Sequence, residues 1–301
     1  MAIITGSLLK NLFVTFSAAF KKGFGNAKPV WKQVAMRVAS GSKSSTYGWL
    51  GQWPGFREWV GPRVVNDMKT HEYSIINKHY ESTVGVNRDD IEDDEAGVYS
   101  PMFEEMGRAA NVFPDELVFG LLSDGFSTLC YDGQNFFDTD HPVYPNVDGS
   151  GVAETVSNMQ VGDAPAWFLL DTSRSLKPII FQERKKPNFV RRDKDSDDPA
   201  FTNNQAEYGV DCRCNVGFGL YQLAFGSKAE LTAANFNAAI ASMQKMKADG
   251  GRPMGVNPTI LVCPPELRDK ALEIVKAERN AAGATNINRN AVDVLVTPYL
   301  S

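Results

Sequence analysis

Apolar residues recur at helical spacing near the start of the chain: Leu9, Leu12, Phe13, Phe16 and Phe20 fall on one side, with Lys10, Asn11 and Ser17 on the other. The spacing predicts one short helix that needs something to lie on, be it its own domain, another copy or a membrane surface. The few basic residues on its polar face make the membrane the weakest of the three. Residues 1–61 are broken by Gly23, Gly25, Pro29, Gly41, Gly48, Gly51, Pro54, Gly55 and Gly61, and read as an extended arm. Within it, Trp53, Phe56 and Trp59 sit in a glycine-rich stretch that cannot bury them alone, which marks a contact surface.

From Arg63 to Val86 the β-prone runs Val64-Val65, Tyr73-Ser-Ile-Ile76 and Ser82-Thr-Val-Gly-Val86 predict a projecting hairpin, ended by the acidic cluster 88–95. Ser100 reads as an N-cap with Pro101 at the first helical position. Phe103, Met106, Ala110, Phe113, Leu117 and Leu121 then continue one stripe across Pro114. A long helix kinked or broken at that proline is expected, about 36 Å long at ~1.5 Å per residue. Strands are predicted at Trp167–Leu170, Pro178–Phe181 and Val216–Phe225, with a charged, mobile excursion over 183–200. After Thr232 comes a helix carrying Phe236, Ala239, Ile240, Met243 and Met246, stopped by Gly250-Gly251. A buried strand Thr259–Cys263, a helix opened by Pro264-Pro265 with Leu267, Ala271, Ile274 and Val275 inward, and a strand Val292–Val296 complete an α/β region.

The 301 residues suffice for one large or two ordinary domains, and 43% hydrophobic with 22% charged residues is the balance of a folded globular chain. A net charge of −5 disfavours a dedicated nucleic-acid binder. The charge is uneven: residues 1–69 hold 10 basic and 2 acidic side chains, residues 70–125 hold 3 and 13. Such segments can pair within a subunit or between neighbours, or can simply be solvated surface. No run approaches the ~20 apolar residues needed to span a bilayer. The apolar start lacks the leading positive charge of a signal peptide and is interrupted by Lys10, so secretion is not expected. Cys130, Cys212, Cys214 and Cys263 read as reduced thiols in a cytosolic setting, since the close pair is Cys-x-Cys and not Cys-x-x-Cys.

Asp138-Thr-Asp140-His141 offers two carboxylates and an imidazole within four residues and is the best metal-like group, the donor set of a metal-dependent hydrolase. The flanking Phe136-Phe137 and Pro142 favour a structural turn instead. Gly-x-Gly at Gly23 and Gly217 lacks the continuation of a dinucleotide or phosphate loop and reads as flexible backbone. The acidic run 89–95 breaks the alternation of a calcium loop. There is no Gly-x-Ser-x-Gly elbow, and His71, His79 and His141 are the only histidines. No enzyme, cofactor or metal is expected.

Taken in order, Pro54-Gly-Phe-Arg-Glu-Trp-Val-Gly61, Tyr80-Glu81, Arg88-Asp-Asp-Ile-Glu-Asp-Asp94, Tyr99-Ser-Pro-Met, Cys130-Tyr-Asp-Gly-Gln-Asn-Phe-Phe-Asp-Thr-Asp-His-Pro142, Phe218-Gly-Leu-Tyr-Gln-Leu-Ala-Phe-Gly226 and Leu261-Val-Cys-Pro-Pro265 resemble the major head subunit of Mu-like phages. The likeness spans nearly the whole chain. It implies the Hong-Kong-97-type capsid fold, an α+β architecture with an N-terminal arm (1–50), an E-loop hairpin (51–96), a peripheral domain with a spine helix and sheet (97–228), an axial α/β domain (229–290) and a C-terminal strand (291–301). The closing residues would return toward the peripheral sheet.

The resemblance further implies hexamers and pentamers that tile an icosahedral shell around double-stranded DNA, assembled in the host cytoplasm and resident in the virion. A scaffold protein, a portal and a decoration protein would be the other partners, with weak non-specific contact to DNA and none to a membrane. Within the E-loop, Trp53, Arg57, Trp59, Glu81, Arg88, Asp90, Asp93 and Asp94 are expected at intersubunit contacts, and Leu9, Leu12, Phe13, Phe16 and Phe20 form the arm contact. A cellular nanocompartment shell is the alternative with the same fold.

Overall fold

In this computed structural model the described residues are 4–50, 73–93, 96–146, 150–194, 196–280 and 282–300. Helix α1 spans Gly6–Asn26 and begins where the Thr5 hydroxyl accepts a hydrogen bond from the Leu8 amide. A 3-10 turn at Trp31–Gln33 follows, then strands β1 (Ala35–Ala39), β2 (Ser44–Thr46), β3 (Ser74–Ile76) and β4 (Lys78–Asn87), the short helix α2 (Arg88–Glu92) and the long helix α3 (Ser100–Asp124). Ser100 is the first helical residue of α3, and the cap position belongs to Tyr99, whose side chain makes no capping bond. The helix runs unbroken through Pro114: one missing amide donor is tolerated where packing on both flanks holds the remaining turns.

The arm helix is longer than the glycines suggested, because Gly23 belongs to the packing and not to a hinge. A Cβ at Gly23 would overlap the Glu104 carbonyl oxygen of α3, and one at Gly107 would overlap the Phe20 carbonyl oxygen of α1. The two backbones touch at a reciprocal glycine crossing. Gly217 is likewise a packing position, where a Cβ would run into the Ile75 side chain.

The second half holds β5 (His141–Val143), β6 (Glu154–Val156), β7 (Met159–Gln160), β8 (Trp167–Leu170), β9 (Ile179–Arg192), the short α4 (Asp198–Asn203), β10 (Gln205–Phe218), β11 (Ala224–Ser227), α5 (Ala233–Gln244), β12 (Ile260–Cys263), α6 (Arg268–Lys276) and β13 (Asp293–Val296). One four-stranded sheet has the order β1-β9-β10-β4, and a five-stranded sheet the order β13-β12-β8-β11-β7. The second sheet joins strands from both sides of residue 228, since β8 pairs with β12 as well as with β11. After β13, Pro298–Leu300 lies against α3.

Two expectations for the strands are overturned. The run 82–86 does not fold back on 73–76; β4 pairs along its length with β10, while β3 pairs with β2, and Val64-Val65 lies outside the described residues. Segment 183–192 is not an excursion but the last ten residues of β9, whose charges line its solvent side while Phe189 packs against α1. Its proline is accommodated at a bulge, where the register against β10 shifts between Asp211 and Arg213.

Two cores result. The larger surrounds the five-stranded sheet and the last turns of α3, with Phe119, Phe136, Trp167, Phe168, Phe218, Phe225 and Phe236 fully enclosed. The smaller joins α1, α3 and the far half of the four-stranded sheet through Leu9, Phe16, Phe20, Phe103, Met106, Tyr208 and Val210. Each such side chain withdrawn from water is worth roughly 1.5–3 kcal/mol.

Gly107→Ala is expected to destabilise the folded chain by at least about 2 kcal/mol, because backbone rather than a flexible side chain must yield. Gly25→Ala, which meets nothing within 4 Å, is the control and should be neutral or slightly stabilising. Urea denaturation of both variants measures the difference.

Candidate assembly contacts and the buried polar groups

The apolar stripe of α1 is consumed within its own chain. Phe16 stacks on Phe103 with ring centroids 4.3 Å apart and meets the edge of Tyr208 at 5.1 Å. Phe13 and Phe20 both stack on Phe189, at 5.7 and 5.0 Å. Arg191 lies over the Phe13 ring and donates from Nη1 to the Leu9 carbonyl at 3.1 Å. Leu9, Phe16 and Phe20 are buried, and Leu12 and Phe13 are half-buried. Within the single chain, α3 and the β9-β10 pair supply an aromatic surface on which these five lie.

Of the expected E-loop residues, Trp53, Arg57, Trp59 and Asp94 lie outside the described residues. The base of that segment is well defined. Thr46 pairs with Ser74, and the Tyr47 amide donates to the Tyr73 carbonyl at 2.8 Å. These bonds join the described residues on the two sides of 51–72. Glu81 is exposed on β4 and accepts from the Thr83 hydroxyl at 2.7 Å. Arg88 opens α2, its amide donating to the Asn204 carbonyl at 3.0 Å and its Nη1 directed at the Asp193 carbonyl. Asp90 accepts from the Tyr99 hydroxyl, and Asp93 is exposed. Ile91 is the buried foot of α2. Glu81 lies on β4 and the other three at α2, so the structure does not gather these residues into one pocket.

Asp115 is a residue that sequence reasoning missed. Its buried carboxylate, one residue past Pro114, accepts from the Val30 amide at 3.0 Å and the Trp31 amide at 2.7 Å. Burial pushes its carboxyl up, against the pull of those two amides. The carboxylate clamps the chain leaving the arm helix onto the spine. The only sequence signal was an acidic residue beside the apolar stripe.

Asp138, Asp140 and His141 do not form one constellation. His141 is fully buried and places Nδ1 2.7 Å from Asp132 Oδ2, while its ring stacks on Tyr221 at 3.7 Å. The Cys130 thiol donates to Asp132 Oδ1 at 3.0 Å. Asp138 instead accepts from the Thr139 amide and from Asn135. Burial alone would raise the Asp132 carboxyl, but the hydrogen bonds from His141 and Cys130 outweigh it and hold it below the ordinary range. Cys130, Asp132 and His141 have donor atoms within 4.8 Å of one another and are a set that could hold a metal ion. As folded, both carboxylate oxygens are taken by hydrogen bonds from the other two, and the group fastens the 130–134 turn to the strand at His141.

Comparison with known proteins resolves what this architecture serves. Residues 9–300 match the Mu-like prophage major head subunit gpT family. The chain belongs to that family. This Mu-like head subunit is 43% identical over 304 residues to the major capsid protein of Escherichia phage Mu, covering 99% of this chain and 100% of the relative. It is 45% identical over 309 residues to the Mu-like prophage FluMu major head subunit of Haemophilus influenzae, with both chains covered in full. A subunit of the procapsid of bacteriophage JBD30 is 53% identical with a TM-score of 0.87, over 98% of this chain and 100% of that one. A subunit of the JBD30 capsid gives 44% and 0.77 over the full length of both chains.

The Mu-like head subunit is thus a structural protein of the virion capsid, with the α+β capsid fold that the resemblance implied. The hydrolase and nanocompartment alternatives fall with the family assignment.

Asp115→Ala should cost about 1–3 kcal/mol in urea denaturation, the penalty of leaving buried amides unpaired. For Asp132 the folded carboxyl is depressed, so its contribution is present above its unfolded pKa of about 4 and lost as pH falls through the folded value. The stability gap between the natural chain and Asp132→Asn should be constant near neutrality and close at acid pH, as followed by thermal unfolding from pH 7 downward.

Proposed function

We propose that this chain tiles an icosahedral head as hexamers and pentamers around double-stranded DNA, and that segment 51–96 is the principal bridge between copies. The observation that carries the reading is the neck: Thr46 and Ser74 are paired, so the described residues on either side of 51–72, the stretch that holds Trp53, Arg57 and Trp59, are joined. A chain segment whose two flanks are already joined has less closure entropy left to lose on docking. The arm (1–50), E-loop (51–96), peripheral (97–228), axial (229–290) and closing (291–301) segments then act as the assembly divisions.

Multivalency supplies the strength of the shell. Each copy makes several modest contacts, so single contacts can open and correct while the closed assembly stays firm. A scaffold during assembly, a portal and a decoration protein are the further partners we assign; a JBD30 capsid carries minor capsid protein trimers. The net charge of −5 suits a wall that holds DNA only weakly, since many cationic contacts would resist its release.

Reversing Asp93 and Asp94 to lysine tests the bridge. Subunit folding, read by circular dichroism and thermal unfolding, should be unchanged. Shell yield in electron microscopy of the chain expressed with its scaffold should drop at least about tenfold, the effect of ~1.4 kcal/mol. Shells at the natural yield would remove these acids from the interface.

A further inference from the structure

His141 has a feature that fastening a turn does not require. Its ring is fully buried, and Nε2 has no hydrogen-bond partner. Buried polar atoms are nearly always paired, so an unpaired one calls for an explanation. Among the described residues no group donates to Nε2, which leaves that nitrogen able to carry the ring's hydrogen. Nδ1, the atom that faces Asp132, can then offer a lone pair.

Three kinds of donor converge here. Cys130 Sγ, an Asp132 carboxylate oxygen and a His141 ring nitrogen lie within 4.8 Å of one another. Sγ is 3.0 Å from Asp132 Oδ1, and Nδ1 is 2.7 Å from Oδ2. Around a tetrahedral zinc ion, with Zn–S of about 2.3 Å and Zn–N and Zn–O of about 2.0–2.2 Å, donor atoms stand roughly 3.3–3.6 Å apart. Exchanging two hydrogens for one ion therefore opens these separations by less than ~1 Å. The frame is already set: the Cys130 amide donates to the Gln134 carbonyl at 2.8 Å, the Gln134 amide donates to Asp132 Oδ1 at 3.1 Å, and the His141 ring lies flat on Tyr221. The Asn135 carbonyl oxygen, 4.0 Å from Sγ, is near enough to serve as a fourth ligand.

We propose that Cys130 Sγ, Asp132 and His141 Nδ1 bind one structural zinc ion, which pins the 130–134 turn to β5. A doubly charged cation balances one thiolate and one carboxylate and leaves the enclosed site neutral. Thiolate and imidazole donors select against calcium and magnesium. Without a cation, burial and the Asp132 charge push the Cys130 thiol up, so the metal-free group stays hydrogen-bonded. On binding, the protons on Sγ and Nδ1 pass to solvent, Nε2 keeps the ring's hydrogen, and nothing is oxidised or reduced. Because the donors are enclosed, the ion enters as this part of the chain folds.

The test is the full-length chain expressed in zinc-supplemented medium, purified without chelator and dialysed against metal-free buffer. Elemental analysis should find one zinc per chain. Zinc K-edge absorption of that sample should show one sulfur at about 2.3 Å and three nitrogen or oxygen ligands at about 2.0–2.2 Å, a readout that needs no variant to fold. Cobalt supplied in place of zinc should give a thiolate-to-metal charge-transfer band. Cys130→Ala and His141→Gln should retain no ion, and Cys212→Ser should retain it in full. A natural chain that keeps no zinc overturns the site. So does a zinc shell with no sulfur or with two or more, which would place the ion elsewhere, or full retention by a folded Cys130→Ala.

Discussion

The backbone of α1 rests directly on the backbone of α3, which is possible because Gly23 and Gly107 carry no side chain at the crossing. That approach decides the depth at which the arm helix sits, and so where Phe16 and Phe20 meet Phe103, Phe189 and Tyr208. Remove it, and one face of the β9-β10 pair loses its cover. A glycine in a helix costs about 1 kcal/mol against alanine. Here the cost is offset by dispersion contacts along two helices that could not otherwise come so close.

Across the fold, carboxylates with little exposure fasten chain segments to one another. Asp115 clamps the amides of residues 30 and 31 onto α3. Asp171 gathers the Ser173 amide and hydroxyl and the Asn257 amide, tying the end of β8 to the approach to β12. Asp193 takes Arg191 at 3.1 Å beneath the arm helix. Asp132 does the same for Cys130 and His141. In each case the charge is buried with its donors in place, which is the condition under which a buried carboxylate is tolerable. What resembled scattered candidate chemistry is mostly fastening.

A shell subunit must keep a firm body and still present pieces to its neighbours. Among the described residues the arm helix, first read as a piece that needs something to lie on, packs into the body. The polar side of the four-stranded sheet carries cross-strand polar contacts, such as the Lys185 ion pair and the His79 hydrogen bond on Asp211, that face solvent in the single chain. Pairs of that kind add little to stability and are easily rearranged on contact.

Periodicity alone established that residues 9–20 and 103–121 are amphipathic helices, that Trp167–Leu170 and Ile260–Cys263 are buried strands, and that the composition is that of a folded chain without an evident catalytic group. The head-subunit family was legible too, from long unusual segments. Sequence did not reveal which surface covers which. A stripe specifies that a face is apolar, not that Phe189, 169 positions beyond Phe20, will cover it. The pairing of β4 with β10, the continuation of β9 through a bulge at Pro187, the partnership of His141 with Asp132 in place of its neighbours Asp138 and Asp140, and the exposure of Cys212 alone among the thiols all arise between residues far apart in the chain or on opposite sides of a turn. Strand register and buried polar pairing are settled only when distant segments are brought together, because each depends on desolvation that no local stretch achieves by itself.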